Sequence, residues 1–243
     1  MALCACSGFA RAKAASTVAD NFFITAPGSS TLTIIGVSGP QQKRESEIEI
    51  AREDAARKAA MYHGVIANYG VTQAGGTSIF AYRSEFNFLL EYDQQLETYM
   101  DRLKYDPNRD VAIINRTLFI RFTYPAIFPG GASYTFAKNP DGRPQWITNR
   151  PQKIGNFAAG VGYAARQSMR RDTFVKSYES ALAEIVLQLY ADISSRDILD
   201  GSQSVTTVNV QSTVNINNFL VLEVWIDPET QSVWTLAIAK KRG

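Results

Sequence analysis

Apolar residues recur at spacings of three and four in two segments of the chain, which predicts two amphipathic helices. The first helix is expected over roughly 46–67, with Ser46 as its N-cap, and the second over roughly 172–193, capped by Asp172. The apolar face of the first is Ile48, Ala51, Ala55, Ala59 and Tyr62, and that of the second is Phe174, Tyr178, Ala181, Leu182, Ile185 and Leu189. Each helix therefore presents one side to a core.

Segments rich in β-branched and aromatic residues surround these helices and predict strands. Short apolar runs at 31–40 and 156–165 precede the helices. The segments that follow the helices are 77–92 and 202–217, and each half then closes in a predicted hairpin, over 117–138 and over 219–240.

The same order of elements occurs twice, which indicates an internal duplication. Within the helices, Glu53-Asp54-Ala55-Ala56 aligns with Glu179-Ser180-Ala181-Leu182. We therefore predict an α+β fold of two similar strand–helix–three-strand units, each a helix packed on a mostly antiparallel sheet. The predicted division is a tether over 1–30, a first unit over 31–142 and a second unit over 143–243, with the proline-rich stretch 139–152 as the linker.

One stretch is present in the first half alone. Residues 93–112 lie between predicted strands, whereas the second half has a predicted tight turn at Asn217-Asn218. The apolar stripe of a short helix in this insert is formed by Leu96, Tyr99, Met100 and Leu103. Two interpretations stay open: the stripe is a partner surface, or it caps an exposed sheet edge.

Gly160, Gly162 and Ala165 match the spacing G-x-G-x-x-G/A of a dinucleotide-binding loop. Such a loop needs a buried strand before it and a helix that starts at it. Here the preceding segment is polar and contains Pro151, and the helix is expected to begin later, near Asp172. We expect instead that the glycines let the first strand end and the chain turn toward the helix, and we predict no cofactor.

Composition narrows the function classes. The chain has 243 residues, of which 45% are hydrophobic, and this share favours a globular core. Its net charge of +2 is close to balanced and does not favour a nucleic-acid partner. His63 is the single histidine and is expected to be a cation at the end of the first helix. No convergent set of nucleophile, base or metal ligands is visible, so we predict no catalytic or metal-binding residues and no enzyme activity.

Charged residues offer two candidate features. Acidic and basic residues alternate along the first helix and predict a solvated face with the pairs Glu53–Arg57 and Asp54–Lys58. Arg166, Arg170 and Arg171 precede the second helix and either meet phosphate, polysaccharide acids or lipid headgroups, or form a solvated loop.

The N-terminal "MALCACSG" resembles a bacterial lipobox, with Leu3 at position −3, a small residue at −1 and Cys6 as the lipidated cysteine. The basic region and most of the apolar region of a signal peptide are missing, which either truncation of the sequence or a wrongly assigned start codon would explain. Both cysteines of the chain, Cys4 and Cys6, lie here. The alternative is an ordinary flexible terminus with chance cysteines.

The second half resembles the LPP-twenty lipoprotein family. The resemblance is carried by Pro144, Trp146, Ile147 and Pro151, by "AAGVGYAA", by Glu179 and Ala181 of the helix, and by the closing "VWIDPETQSVWTLA". The family pattern is a Pro-x-Trp motif, a Gly-Val-Gly strand end, an alanine-containing helix and a closing two-stranded element, and some members carry the domain more than once. The first half departs from the family pattern: Ser38 lies inside its glycine motif, it has no Pro-x-Trp motif, and it carries the insert. Membership of the first half therefore rests on its similarity to the second half.

The resemblance implies a small α+β domain in a lipid-anchored bacterial envelope protein. Related domains occur in the N-terminal part of the flagellar assembly protein T, and similar folds occur in outer-membrane lipoproteins that activate peptidoglycan synthases. The family has no established catalytic residues, so none are assigned. We therefore predict a non-enzymatic envelope protein, in the periplasm or outer membrane, that is bound to the membrane through its N-terminal lipid and acts on a protein partner. An envelope glycan-binding module or hydrolase is the alternative.

Overall fold

The structure is a computed structural model that describes residues 22–25, 30–76, 79–90, 93–128, 136–194 and 207–242. The strands are β1 (Thr31–Ser38), β2 (Val65–Gly76), β3 (Ile79–Leu90), β4 (Val111–Ile114), β5 (Thr117–Pro125), β6 (Lys153–Ile154), β7 (Phe157–Ala164), β8 (Thr207–Ile226) and β9 (Val233–Lys241). The helices are α1 (Arg44–His63), α2 (Leu96–Arg102), α3 (Gln145–Thr148) and α4 (Arg170–Ser194).

The strands of the described residues form two sheets, and within each sheet all neighbouring strands pair antiparallel. The smaller sheet has the order β1-β5-β4, and the larger has the order β3-β2-β8-β9-β7-β6. Helices and antiparallel sheets together confirm the predicted α+β class. β2 comes from the predicted first unit and β8 from the second, yet they pair within one sheet.

The longest strand, β8, belongs to two pairings. Its first part pairs with β2 and its second part with β9. The register shifts between Asn217 and Leu220, where Asn218 adopts a φ of 55°. The predicted tight turn at Asn217-Asn218 is therefore wrong, because a bulge lets the strand bend and continue.

Each long helix packs on a strand that carries glycine. A Cβ atom on Gly36 of β1 would overlap the carbonyl oxygen of Ala51 in α1, and one on Gly162 of β7 would overlap that of Ser177 in α4. The prediction that Gly160 and Gly162 end their strand is wrong, because both lie inside β7, as Gly36 lies inside β1. They are needed because the helix backbone lies where a side chain would project.

Side chains of α1 close the outer edge of β1. The backbone N–H of Val37 donates to Asp54 Oδ2 at 2.9 Å, and Lys58 Nζ donates to the Ile35 carbonyl at 2.7 Å. The predicted pair Asp54–Lys58 is present at 2.7 Å, but Asp54 is buried, so this part of the helix faces the strand and not solvent. A sheet edge whose backbone groups are bonded in this way offers fewer of them to another chain.

The outer edge of β7 is bonded by α4 in the same manner. The N–H of Tyr163 donates to Ser180 Oγ at 3.4 Å, and that of Val161 donates to Glu184 Oε2 at 2.8 Å. In both helix–strand pairs the bonded residues are 17 and 23 positions apart in the sequence. The two helix–strand pairs therefore share the same spacing of bonded residues.

The predicted linker contributes to the core. Trp146 of α3 is buried, and its indole N–H donates to Glu223 Oε2 of β8 at 2.5 Å. The largest apolar cluster combines residues of both predicted units, among them Phe122 and Leu236. The two units therefore share a core.

Several boundaries differ from the predicted ones. α1 ends at His63 and not near residue 67, and Lys43 occupies its N-cap position instead of Ser46, while Glu47 Oε1 accepts from the Gln41 N–H at 3.0 Å. α4 begins at Arg170, so Asp172 lies in its first turn and is not its N-cap. The first closing hairpin joins β4 and β5 through Asn115-Arg116, whereas the predicted turn near residue 130 falls at 129–135, outside the described residues. In the described chain no helix is long and apolar enough to cross a membrane.

Candidate functional site

A cleft of about 580 Å³ lies where α4 begins. Its walls come from the first turn of α4, the loop before it, the β4–β5 turn and the connection between β1 and α1. Four arginines line it, and we call it the arginine cleft: Arg116, Arg166, Arg170 and Arg171. Among the described residues that line it, Asp172 is the one carboxylate. Three of these arginines were singled out from the sequence, and the fold adds Arg116 to them.

Backbone geometry places Arg116 in the cleft. Asn115 and Arg116 have φ angles of 48° and 65°, which is the conformation of a tight two-residue hairpin turn. Asn115 Nδ2 donates to Gln231 Oε1 at 2.9 Å, and Arg170 Nη2 donates to the same oxygen at 2.5 Å. Gln231 therefore ties the hairpin to the start of α4.

The guanidinium groups of the cleft have no carboxylate partner among the described residues: the ion pairs there involve other side chains. Burial, and secondarily the nearby charge of Arg166, lowers the pKa of Arg170. The Nε–H of Arg171 is buried and has no acceptor within the part of the chain that the structure describes. Positive charge is thus concentrated at a helix N-terminus, which itself carries partial positive charge.

The predicted partner stripe on α2 is turned inward. Tyr99 and Leu103 are buried, and Leu96 and Met100 are partly buried against the largest apolar cluster. In addition, Arg52 of α1 donates to the Leu103 carbonyl at 2.8 Å. The stripe therefore holds α2 to α1, and these four side chains do not form an exposed contact surface.

His63 lies among aromatic residues at the end of α1. Its Nε2 is 2.9 Å from the Tyr124 hydroxyl, and its ring is 5.5 Å from that of Tyr99. Burial, and then the charge of Arg102, lowers the pKa of His63, which disfavours the cationic form expected at the end of α1. The described residues contain no group of three metal-ligating side chains.

The strand β3 ends the larger sheet. It is 12 residues long, and no strand of the described chain pairs with its outer edge. The opposite edge of that sheet is the two-residue β6, and β4, at one edge of the smaller sheet, has four residues. β3 is thus the longest strand edge that the described residues leave unpaired.

The predicted lipidation site, Cys6, lies outside the described residues. Residues 22–25 are bonded to β8: the Thr25 N–H donates to the Leu222 carbonyl at 2.8 Å, and the Val224 N–H donates to the Phe23 carbonyl at 3.1 Å. The tether is therefore fixed to β8 at this point.

Sequence reasoning missed Arg116 and Glu223. An Asn-Arg pair between two apolar runs was a hairpin signal for Arg116. A single carboxylate inside the apolar run "FLVLEVWI" was the signal for Glu223, since a buried charge needs a specific partner.

No family model, curated protein or solved structure matches this chain.

Proposed function

We propose that this protein is a non-enzymatic, lipid-anchored protein of the bacterial cell envelope that acts through protein–protein contacts in the periplasm or at the outer membrane. The unpaired outer edge of β3 is the observation that supports action through protein–protein contacts. The lipobox-like segment ending at Cys6 and the resemblance to LPP-twenty lipoproteins support the anchor.

A strand edge attracts another strand because its N–H and C=O groups need hydrogen-bond partners. Natural edges are commonly shortened, bulged or covered, as β6 and β4 are short here and as β1 is bonded by Asp54 and Lys58. β3 has neither proline nor glycine and only two charged residues, Arg83 and Glu85. We therefore assign this edge to an extended segment of a partner protein, which would add a strand to the sheet.

The anchor is tested by the intact mass of the protein from its native membrane fraction. We expect a mass consistent with acylation at Cys6, lost in Cys6→Ala and retained in the matched Cys4→Ala variant. An unmodified chain in both the wild type and Cys4→Ala would refute the anchor.

The contact surface is tested in the same cells by photo-crosslinking. Leu89 on β3 is 48% exposed and Ile113 on β4 is 45% exposed. A photo-crosslinking residue at each of these positions therefore compares the two edge strands at nearly the same solvent exposure. We expect a discrete adduct from position 89 whose crosslinked peptide, by mass spectrometry, is an extended segment of another envelope protein. Equal amounts of adduct from positions 89 and 113 would contradict the assignment of β3 as the contact edge. A crosslink to a second copy of this chain would show self-association instead of contact with a different protein.

A further inference from the structure

We propose that the arginine cleft is a binding site for a phosphate group, carried either by a membrane lipid headgroup or by a small soluble phosphate compound. The proposal rests on the charge, the donor arrangement, the size and the position of the cleft.

Charge is the first argument. Bringing four guanidinium groups to one cleft that has a single carboxylate in its lining costs electrostatic free energy, because like charges repel. None of the ion pairs of the described residues involves these four guanidinium groups, and Asp172 supplies a single negative charge. An anion bound among them relieves that repulsion, most of all at the half-buried Arg170 and Arg171, because solvent screens the exposed Arg116 and Arg166.

Donor arrangement favours an oxyanion over other anions. Guanidinium groups offer forked N–H donors that match the oxygens of phosphate. The buried Nε–H of Arg171 lacks an acceptor among the described residues, although buried donors are nearly always bonded. Thr117, Gln167 and Ser168 add neutral polar groups to the lining. A phosphate group has enough acceptor oxygens to engage several of these donors at once.

The size of the cleft suits a small ligand or a headgroup. Its volume of about 580 Å³ lies within the range of small-molecule sites, about 300–1,000 Å³. It therefore has room for a phosphate group and the atoms next to it.

Position points to a membrane source for the phosphate. Phe23 packs on Phe119 at 5.1 Å between ring centroids, and Phe119 packs on Phe174 at 4.9 Å. Phe174 belongs to the first turns of α4, so the N-terminal tether joins the fold beside an element that forms the cleft. Met169, next to Arg170 in the lining, is 68% exposed, and an apolar side chain beside a cationic site suits a membrane surface. This step rests on the proposed anchor, whereas phosphate binding itself does not.

The test uses the full, unacylated chain, so its result does not depend on lipidation of Cys6. Pyrophosphate binding is measured by calorimetry, and vesicle binding is measured with phosphatidylcholine alone and with added phosphatidylglycerol. The variant is Arg116→Gln/Arg166→Gln, because these side chains make no hydrogen bond within the described residues. The control is Lys153→Gln/Lys241→Gln, which removes the same charge from exposed positions around another cleft.

We expect the arginine variant to weaken pyrophosphate binding by about tenfold or more, the loss of one charge-assisted contact, while the control stays within about twofold. If binding to phosphatidylglycerol vesicles is likewise weakened in the arginine variant and kept in the control, the phosphate group belongs to a lipid headgroup. Pyrophosphate binding without vesicle binding identifies a soluble phosphate compound.

A separate readout covers a variant that fails to fold. In the wild-type protein, pyrophosphate should shift the amide resonances of residues 167–173, which flank the start of α4. No pyrophosphate or vesicle binding, equal losses in both variants, or shifts located elsewhere would overturn the proposal.

Discussion

Glu223 is a carboxylate buried in an apolar strand, and its protonation links stability to pH. Burial raises its pKa above the ordinary 4.5, although the indole N–H of Trp146 and the charge of Lys138 oppose the shift. The folded protein therefore keeps this proton at pH values where the unfolded chain has released it. The contribution of Glu223 to stability is favourable below 4.5 and is lost as pH rises through the raised value.

Replacement of Glu223 by Gln should remove this pH dependence. The amide oxygen still accepts from Trp146, and no charge is buried. We expect the melting temperature of Glu223→Gln to exceed that of the wild type at pH 7.5 and the difference to shrink at pH 4. Glu229→Gln, at an exposed position, should show no such trend. A difference that stays constant between these pH values would contradict the assignment.

Close contact between helix and strand is the feature that organises the elements. α1 lies on β1, and α4 lies on β7, at distances that leave no space for a Cβ atom on Gly36 or Gly162. We expect Gly36→Ala and Gly162→Ala each to lower the free energy of unfolding by about 1–3 kcal/mol, because a rigid backbone oxygen occupies the space.

The matched control is Gly39→Ala, since a Cβ atom there has no neighbour within 4 Å. Urea denaturation of the three variants beside the wild type measures the effect. Equal stability of Gly36→Ala and Gly39→Ala would show that the helix can move away from the strand at little cost.

The periodic spacing of apolar residues predicted the long helices but did not predict β2. Both long helices were predicted because their apolar stripes repeat every three to four residues over many turns. β2 was missed because "VIANYGVTQAGG" holds three glycines and little alternation. Its strand conformation comes from pairing with β3 and with the distant β8, which no local pattern reveals.

At the scale of the whole molecule, the N-terminal segment 22–25 acts as part of the fold. Phe22 is 6% exposed and joins an apolar cluster with Phe119, Phe174 and Val233, drawn from three different elements. Replacing Phe22 with Ala should therefore lower the free energy of unfolding by about 3 kcal/mol or more.

Urea denaturation again gives the measurement, and Ile127→Ala, at a position that is 79% exposed, is the control. Comparable stability of the two variants would show that segment 22–25 contributes little and that the tether extends beyond residue 25. A large loss specific to Phe22→Ala would place the end of the tether at this residue.

The sequence by itself determined the α+β class, the two amphipathic helices, the Glu53–Arg57 and Asp54–Lys58 pairs and the arginines around the start of α4. These follow from contacts between residues close in the chain, whose spacing a sequence displays directly. The tertiary structure alone decided that β8 joins both halves in one sheet and that the α2 stripe is buried. It also brought Arg116 to the arginines of α4. Each of these depends on packing between distant segments, where burial and shape select one arrangement among many that the local pattern allows.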